Sequence, residues 1–202
     1  MNKVITIGRE FGSGGREFGR LLAEKLGYEY YDKEIITEIA KKTSLSETYV
    51  KQIVEQTPHS LFPITTGNAF AYYGNNHLYN VQSIFREQTN VIKEMAKKSD
   101  CVIVGRCADY ILEDLNPFKI FIYADEKSKI ERCLKKVDEP ESVNVKKLKK
   151  QIKNIDKNRA RYYSFYTGKK WGDSHNYHLV LDSGKLGYSL CTKLIIEAAK
   201  GE

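Results

Sequence analysis

Between residues 8 and 16 the chain reads Gly8-Arg9-Glu10-Phe11-Gly12-Ser13-Gly14-Gly15-Arg16, three glycines within four positions and an arginine toward each end. A glycine-rich turn from a strand into a helix points backbone N–H groups at an anion, and the helix dipole adds partial positive charge there. The chemistry on offer is phosphate binding. The spacing does not follow G-x-x-x-x-G-K-[ST]. With Gly12-Ser13-Gly14 laid over the end of that motif, Gly15 stands where the lysine belongs and Arg16 where the Mg²⁺-binding hydroxyl belongs, with the carboxylate of Glu17 one position on. Nor does it follow G-x-G-x-x-G, because Gly12-Ser13-Gly14 runs on into Gly15-Arg16-Glu17. Arg16 directly follows the vacated position and can bridge β- and γ-phosphate oxygens bidentately; Arg9, at the other end of the loop, can do the same. Glu17 has two readings: a hard oxygen ligand for Mg²⁺, or a first-turn carboxylate favoured by the helix dipole.

These residues need a strand before them and a helix after them. Val4-Ile5-Thr6-Ile7 is a β-branched apolar run, and Phe18, Leu21, Leu22 and Leu26 recur at helical period before Gly27, which suits a C-terminal cap. Glu29-Tyr30-Tyr31 reads as a second strand ending at Asp32, followed by a helix carrying Ile35, Ile36, Ile39 and Ala40. Ser44 and Glu47 have capping-box spacing ahead of a helix with Val50, Ile53 and Val54. Residues 57–80, with Pro58, Pro63, Gly67, Gly74 and several aromatics, read as an irregular or weakly helical insertion, and a long helix over about 81–98 brings the chain back. The aromatics of 70–79 suit either stacking on a base or a small satellite core. Cys101-Val102-Ile103-Val104, Ile120-Phe121-Ile122-Tyr123 and Leu179-Val180-Leu181 are near-continuous apolar runs, the pattern of strands buried on both faces of a parallel sheet. Helical patterns follow them at about 107–114, 126–136 and 187–199. Strand alternating with helix predicts a doubly wound α/β domain.

The run from Ile5 to Glu17 resembles the opening of the cytidylate kinase-like branch of P-loop kinases. Val102-Ile103-Val104-Gly105-Arg106 is similar to that branch's second recurrent motif, and Tyr30-Tyr31-Asp32-Lys33-Glu34 and Asp156…Arg159-Ala160-Arg161 fit as well. The resemblance spans nearly the whole chain. It implies a P-loop kinase fold with a five-stranded parallel sheet flanked by helices, an NMP-binding insertion at about 40–95 and a lid at about 133–160. It also implies ATP-dependent phosphoryl transfer, with Mg²⁺, to a nucleoside monophosphate such as cytidylate or to a similar small phosphorylated acceptor. On that pattern Gly8, Arg9, Gly12, Ser13, Gly14, Gly15, Arg16 and Glu17 hold the donor, and Arg106 holds the acceptor phosphate. Asp32 belongs to the acceptor site, or holds Mg²⁺, or simply caps the next helix. Arg132, Arg159 and Arg161 bracket the lid; the last two, being two residues apart on a helix, face different sides. The family's D-G-R-D motif reads Val104-Gly105-Arg106-Cys107 here, and its lysine is Gly15. A non-catalytic nucleotide-binding protein that retains the kinase fold is therefore the alternative.

Composition bounds the rest. A chain of 202 residues fits one domain. With 41% hydrophobic and 29% charged residues it is an ordinary globular composition, which argues against disorder. The net charge of +7 calls for an anionic partner. Much of the excess lies in Lys146-Lys147-Leu148-Lys149-Lys150-Gln151-Ile152-Lys153, where Val145, Leu148 and Ile152 at helical spacing suggest a solvated face instead of a nucleic-acid surface. No apolar run nears the roughly 18 residues of a membrane span. The opening residues lack a secretory signal, so a cytoplasmic location is expected. Cys101, Cys107, Cys133 and Cys191 are irregularly spaced, which suits reduced thiols. His175 and His178 form H-x-x-H with no third metal ligand nearby in sequence.

Overall fold

A computed structural model describes residues 2–55 and 71–200, and among their side chains all but those of Glu55, residues 71–80 and Lys200. Five parallel strands form one sheet: β1 (Val4–Arg9), β2 (Glu29–Tyr31), β3 (Cys101–Val104), β4 (Phe118–Tyr123) and β5 (Leu179–Asp182), in spatial order β2-β3-β1-β4-β5. Each parallel pair needs a crossover, and the helices supply it. They are α1 (Gly15–Leu26), α2 (Glu34–Thr43), α3 (Glu47–Glu55), α4 (Ala71–Lys98), α5 (Ala108–Ile111), α6 (Glu126–Leu134), α7 (Val145–Thr167) and α8 (Ser183–Lys200). This is the α/β architecture expected of a P-loop kinase, with the five-stranded parallel sheet flanked by helices on both faces.

The period-2 pleat assigns each strand residue to one of two cores. Ile5, Ile7, Val102 and Val104 pack with Phe18 and Leu22 of α1 and Ile195 of α8. Val4, Cys101 and Ile103 face the other way, toward Ile35 and Ile39 of α2, Val50 of α3 and Ile84 and Ile92 of α4. Every position of β3 is buried, as a central parallel strand requires.

Several boundaries differ from the sequence expectations. The helix expected from about 81 begins at Ala71; Gly74, Asn75 and Asn76 have low helix propensity and mask it. Residues 56–70, with Pro58, Pro63, Gly67 and Phe70, lie outside the described residues. Ser44 does not open a capping box: at φ 55 it closes α2, its N–H donating to Ala40 O. Ser46 caps α3 instead, accepting from Tyr49 N at 3.2 Å. On α7, Ile152 is buried but Val145, the first helical residue, is 42% exposed. The helix expected over 107–114 is a single turn, α5, followed by a 3-10 turn, Glu113–Leu115. α8 starts at Ser183 and is interrupted at Gly187, whose φ of 69 and ψ of 173 are not helical. Among the described residues no helix is long and apolar enough to cross a membrane.

Candidate functional site

β1 delivers the glycine loop to the carboxyl edge of the sheet, where ligands bind in open α/β folds. Gly12 and Gly14 take φ 77 and 86, which lets the chain turn sharply into α1. Space is as restrictive as the dihedrals: a Cβ on Gly14 would fall 2.4 Å from Tyr188 Oη. The turn is fastened by side chains. Ser13 is buried and its hydroxyl donates to Glu10 O at 2.9 Å. Arg132 of α6 donates to Ser13 O at 3.1 Å, to Ser183 Oγ at 3.0 Å and to Ser183 O at 2.7 Å, and its guanidinium lies over the Tyr188 ring.

A second set of contacts comes from α7. Asp156 Oδ1 accepts the Phe11 N–H at 2.6 Å, and Asp156 Oδ2 lies 3.1 Å from Lys129 Nζ. Lys129 also pairs with Glu10 Oε2 at 2.7 Å. Burial works against the Lys129 ammonium, but Glu10 and Asp156 outweigh it and hold its pKa above the ordinary value. Arg159, one turn on from Asp156, donates to Arg9 O at 3.2 Å and covers the Phe11 ring. Arg161 is exposed and lines neither of the two cavities beside the loop.

Beside the loop lies a cluster of arginines on one carboxylate. Asp32, 3% exposed at the end of β2, receives Arg16 Nε at 2.7 Å and stands 3.7 Å from Arg9 Nη2. It does not cap α2, whose N-cap position is Lys33 without a side-chain bond. Burial lowers the Arg9 pKa well below its ordinary value; Arg159 adds to this, Asp32 opposes it, and Arg106 and Arg16 lower it further.

Arg106 is presented by a strained turn. Gly105, Arg106 and Cys107 all sit in the left-handed region, at φ 74, 61 and 54. Two adjacent non-glycine residues there are uncommon and cost backbone energy. Gln88 of α4 secures the turn by donating to Arg106 O at 3.0 Å, and Tyr162 of α7 donates to Gln88 Oε1 at 3.3 Å.

Two adjoining cavities result. The outer one is bordered by the loop, Arg16, Glu17, Arg132 and Tyr188. The inner one runs under Gly8 to Arg106, Asp109, Tyr162, Trp171 and Tyr177. Arg9 and Arg159 border both. In the inner cavity Tyr163 Oη donates to Asp109 at 2.6 Å; burial pushes the Asp109 pKa up, and the tyrosine contact opposes the rise. In the outer cavity burial works against the Glu17 charge, but its ion pair with Lys136 prevails and lowers its pKa. Among the described residues no three His, Cys, Asp or Glu side chains converge as metal ligands. His175 instead meets Asp173, and His178 Nδ1 accepts from Lys119 N.

Of the residues singled out from sequence, the structure gathers Arg9, Arg16, Asp32, Arg106 and Arg159, and sets Arg161 apart. Gln88, Lys129, Ser183 and the Asp109–Tyr163 pair carry no sequence signal of their own, because each acts through a partner that is distant in sequence or through burial.

Residues 4–185 match the cytidylate kinase-like family. The chain is 25% identical over 192 residues to the cytidylate kinase of Methanopyrus kandleri, covering 90% of this chain and 85% of that one. Among solved structures, an uncharacterized protein from Eubacterium ventriosum is 31% identical over the full length of both chains, with a TM-score of 0.73. The shikimate kinases of Acinetobacter baumannii and Bacteroides thetaiotaomicron share the fold at 15% and 13% identity, with TM-scores of 0.51 and 0.54; the match covers 100% and 98% of this chain and 94% and 97% of theirs. With a match over nearly its whole length, glycine loop and the arginine-bearing turn after the third strand included, the chain belongs to the cytidylate kinase-like family.

Proposed function

We propose that the protein is a cytoplasmic nucleotide kinase that transfers the γ-phosphoryl group of ATP to a nucleoside monophosphate, cytidylate or a similar small phosphorylated acceptor. Phosphoryl transfer in general follows from the P-loop kinase-like fold and the family. The observation that carries the finer reading is the charge at the junction of the two cavities. Arg9, Arg16, Arg106, Arg159 and Lys129 gather around Asp32, Glu10 and Asp156, five cations about three carboxylates. An excess of positive charge there suits a phosphate dianion, and phosphoryl transfer depends chiefly on such charge neutralisation and on positioning.

In this reading the N–H groups of residues 12–16 hold the donor phosphates in the outer cavity, and Arg106 holds the acceptor phosphate in the inner one. An acceptor phosphate oxygen attacks the γ-phosphorus, the bond to the β–γ bridging oxygen breaks, and ADP leaves. Arg159 lies where the transferring group passes. Segment 40–95 serves as the NMP-binding region and segment 133–160 as the lid. Arg132 fastens the loop through three of its five donors, on Ser13 and Ser183, and borders the outer cavity with the rest. Glu17 borders the outer cavity, where it pairs with Lys136, and would be the hard-oxygen donor that holds Mg²⁺. Bound magnesium supplies charge screening on the phosphates.

A second reading, nucleotide binding without turnover, is favoured by one contact. The Asp156 carboxylate accepts the Phe11 N–H, which places a fixed negative charge against the loop that a phosphate must approach. The deciding experiment is turnover with ATP, Mg²⁺ and a panel of nucleoside monophosphates, read as nucleoside diphosphate formed. Product with at least one acceptor supports the kinase. ATP binding by calorimetry with no product from any acceptor supports the second reading.

A further inference from the structure

Gly15 occupies the position of the lysine in the P-loop motif, and its neighbour in space explains why. A Cβ at residue 15 would lie 2.4 Å from Arg9 Cβ and 2.7 Å from Arg9 Cγ. These are root atoms of the side chain, fixed by the end of β1, so they cannot swing aside. A lysine at 15 and an arginine at 9 in this conformation exclude each other.

The other side of Arg9 is shaped in the same way. A Cβ on Gly105 would fall 1.6 Å from Arg9 Nη1 and 2.7 Å from Cζ, so the guanidinium lies directly over that glycine. Arg9 thus runs through a slot walled by two glycines, and it is only 9% exposed. Its Nε has no hydrogen-bond partner. The carboxylate beside it stands 3.7 Å away and gives its closer contact, 2.7 Å, to Arg16. Burying a cation with its donors only partly used is costly unless a ligand completes them. The guanidinium borders both the outer and the inner cavity. Arg16 differs on each count: its Nε is committed to Asp32 and its side chain is 43% exposed.

We infer that Gly15 and Arg9 are one exchange: Arg9, entering from the strand side of the loop, takes the place that the lysine takes from the helix side, and its planar fork contacts the phosphoryl group passing between the two cavities. The inference rests on the kinase reading above and assigns its central cation. A lysine ammonium is a point charge, whereas a guanidinium offers five donors in a plane, enough to touch donor and acceptor phosphates together.

The test is a charge relocation. ATP is titrated calorimetrically into wild type, Arg9→Gly, Gly15→Lys and the double variant, with circular dichroism to establish folding. Arg9→Gly should weaken ATP binding by about ten- to a hundredfold, the range for hydrogen bonds to charged groups. Gly15→Lys alone should also weaken it, because its Cβ and the root of Arg9 cannot both fit and the loop must distort. The double variant should return to within about fivefold of wild type, since the change at position 9 vacates the space and the change at position 15 restores the charge. Two harmful changes that compensate are not expected of a structural arginine. Arg9→Met, which keeps Cβ and Cγ and removes only the charge, gives the affinity reading where Arg9→Gly fails to fold. ATP affinity unchanged in Arg9→Gly or Arg9→Met overturns the assignment, as does a folded double variant no better than Arg9→Gly. Wild type that binds no ATP overturns the kinase reading and this inference with it; wild type that binds ATP without compensation overturns the inference alone.

Discussion

Replacing Asp32 by asparagine keeps the shape of the site and removes a carboxylate that meets both Arg9 and Arg16. Asp32 is 3% exposed, 2.7 Å from Arg16 Nε and 3.7 Å from Arg9 Nη2. Breaking a buried ion pair from one side costs about 3–5 kcal/mol, because the remaining charge is left uncompensated. Arg16 is 43% exposed and can turn toward water, which reduces its share, so the lower end, about 3 kcal/mol, is the expected loss. For a domain of this size that corresponds to a melting temperature lower by roughly 6–12 °C. Part of the loss should be recoverable without any protein contact. With Asp32 neutralised the site binds oxyanions more tightly, and an anion present at about a hundred times its Kd stabilises by about 2.7 kcal/mol. Thermal melts of wild type and Asp32→Asn in chloride and in sulfate, matched in ionic strength, provide the assay. The gap should be wide in chloride and should narrow in sulfate. A variant melting within about 2 °C of wild type in chloride, or a gap that sulfate leaves unchanged, refutes the claim that Asp32 is the internal counter-ion of an anion site.

Arg132→Met should cost about 2–3 kcal/mol in urea denaturation, because three charge-assisted contacts to Ser13 and Ser183 are lost together. Arg132→Lys should recover little, since an ammonium lacks the fork; unchanged stability with lowered turnover would instead make Arg132 a substrate contact. Asp109 has its pKa raised by burial, so the fold favours its protonated form. Its stabilising contribution is full below the unfolded value of about 3.9 and is lost as pH rises through the raised folded value. Relative to Asp109→Asn, wild type should therefore gain stability as the pH is lowered from about 7 to about 4, and parallel urea midpoints across that range would count against this.

The fold was legible wherever a local pattern and the tertiary demand agreed. Val4 to Ile7 and Cys101 to Val104 read as strands because a parallel sheet buries both faces, and each of those residues is buried. Boundaries failed where tertiary packing overrides propensity. Nothing local in Gly74-Asn75-Asn76 announces a helix that starts at Ala71, and nothing in Ser44 distinguishes a residue that ends one helix from one that begins the next.

The site divides along the same line. The glycine loop was legible because its chemistry is backbone chemistry, written in consecutive residues. Which arginine serves it was not, because that choice is made by strand register. Ile7 pairs with Val104, so Arg9, the last residue of β1, comes against Gly105, just past β3 and far away in sequence. Read along the sequence, Arg16 is the natural substitute for the lysine because it adjoins the vacancy. Read across the sheet, the vacancy is the space that Arg9 needs, and Gly105 is the second wall of the same slot. A glycine at a catalytic position records a loss only when the space it leaves is empty, and here a buried arginine side chain fills it.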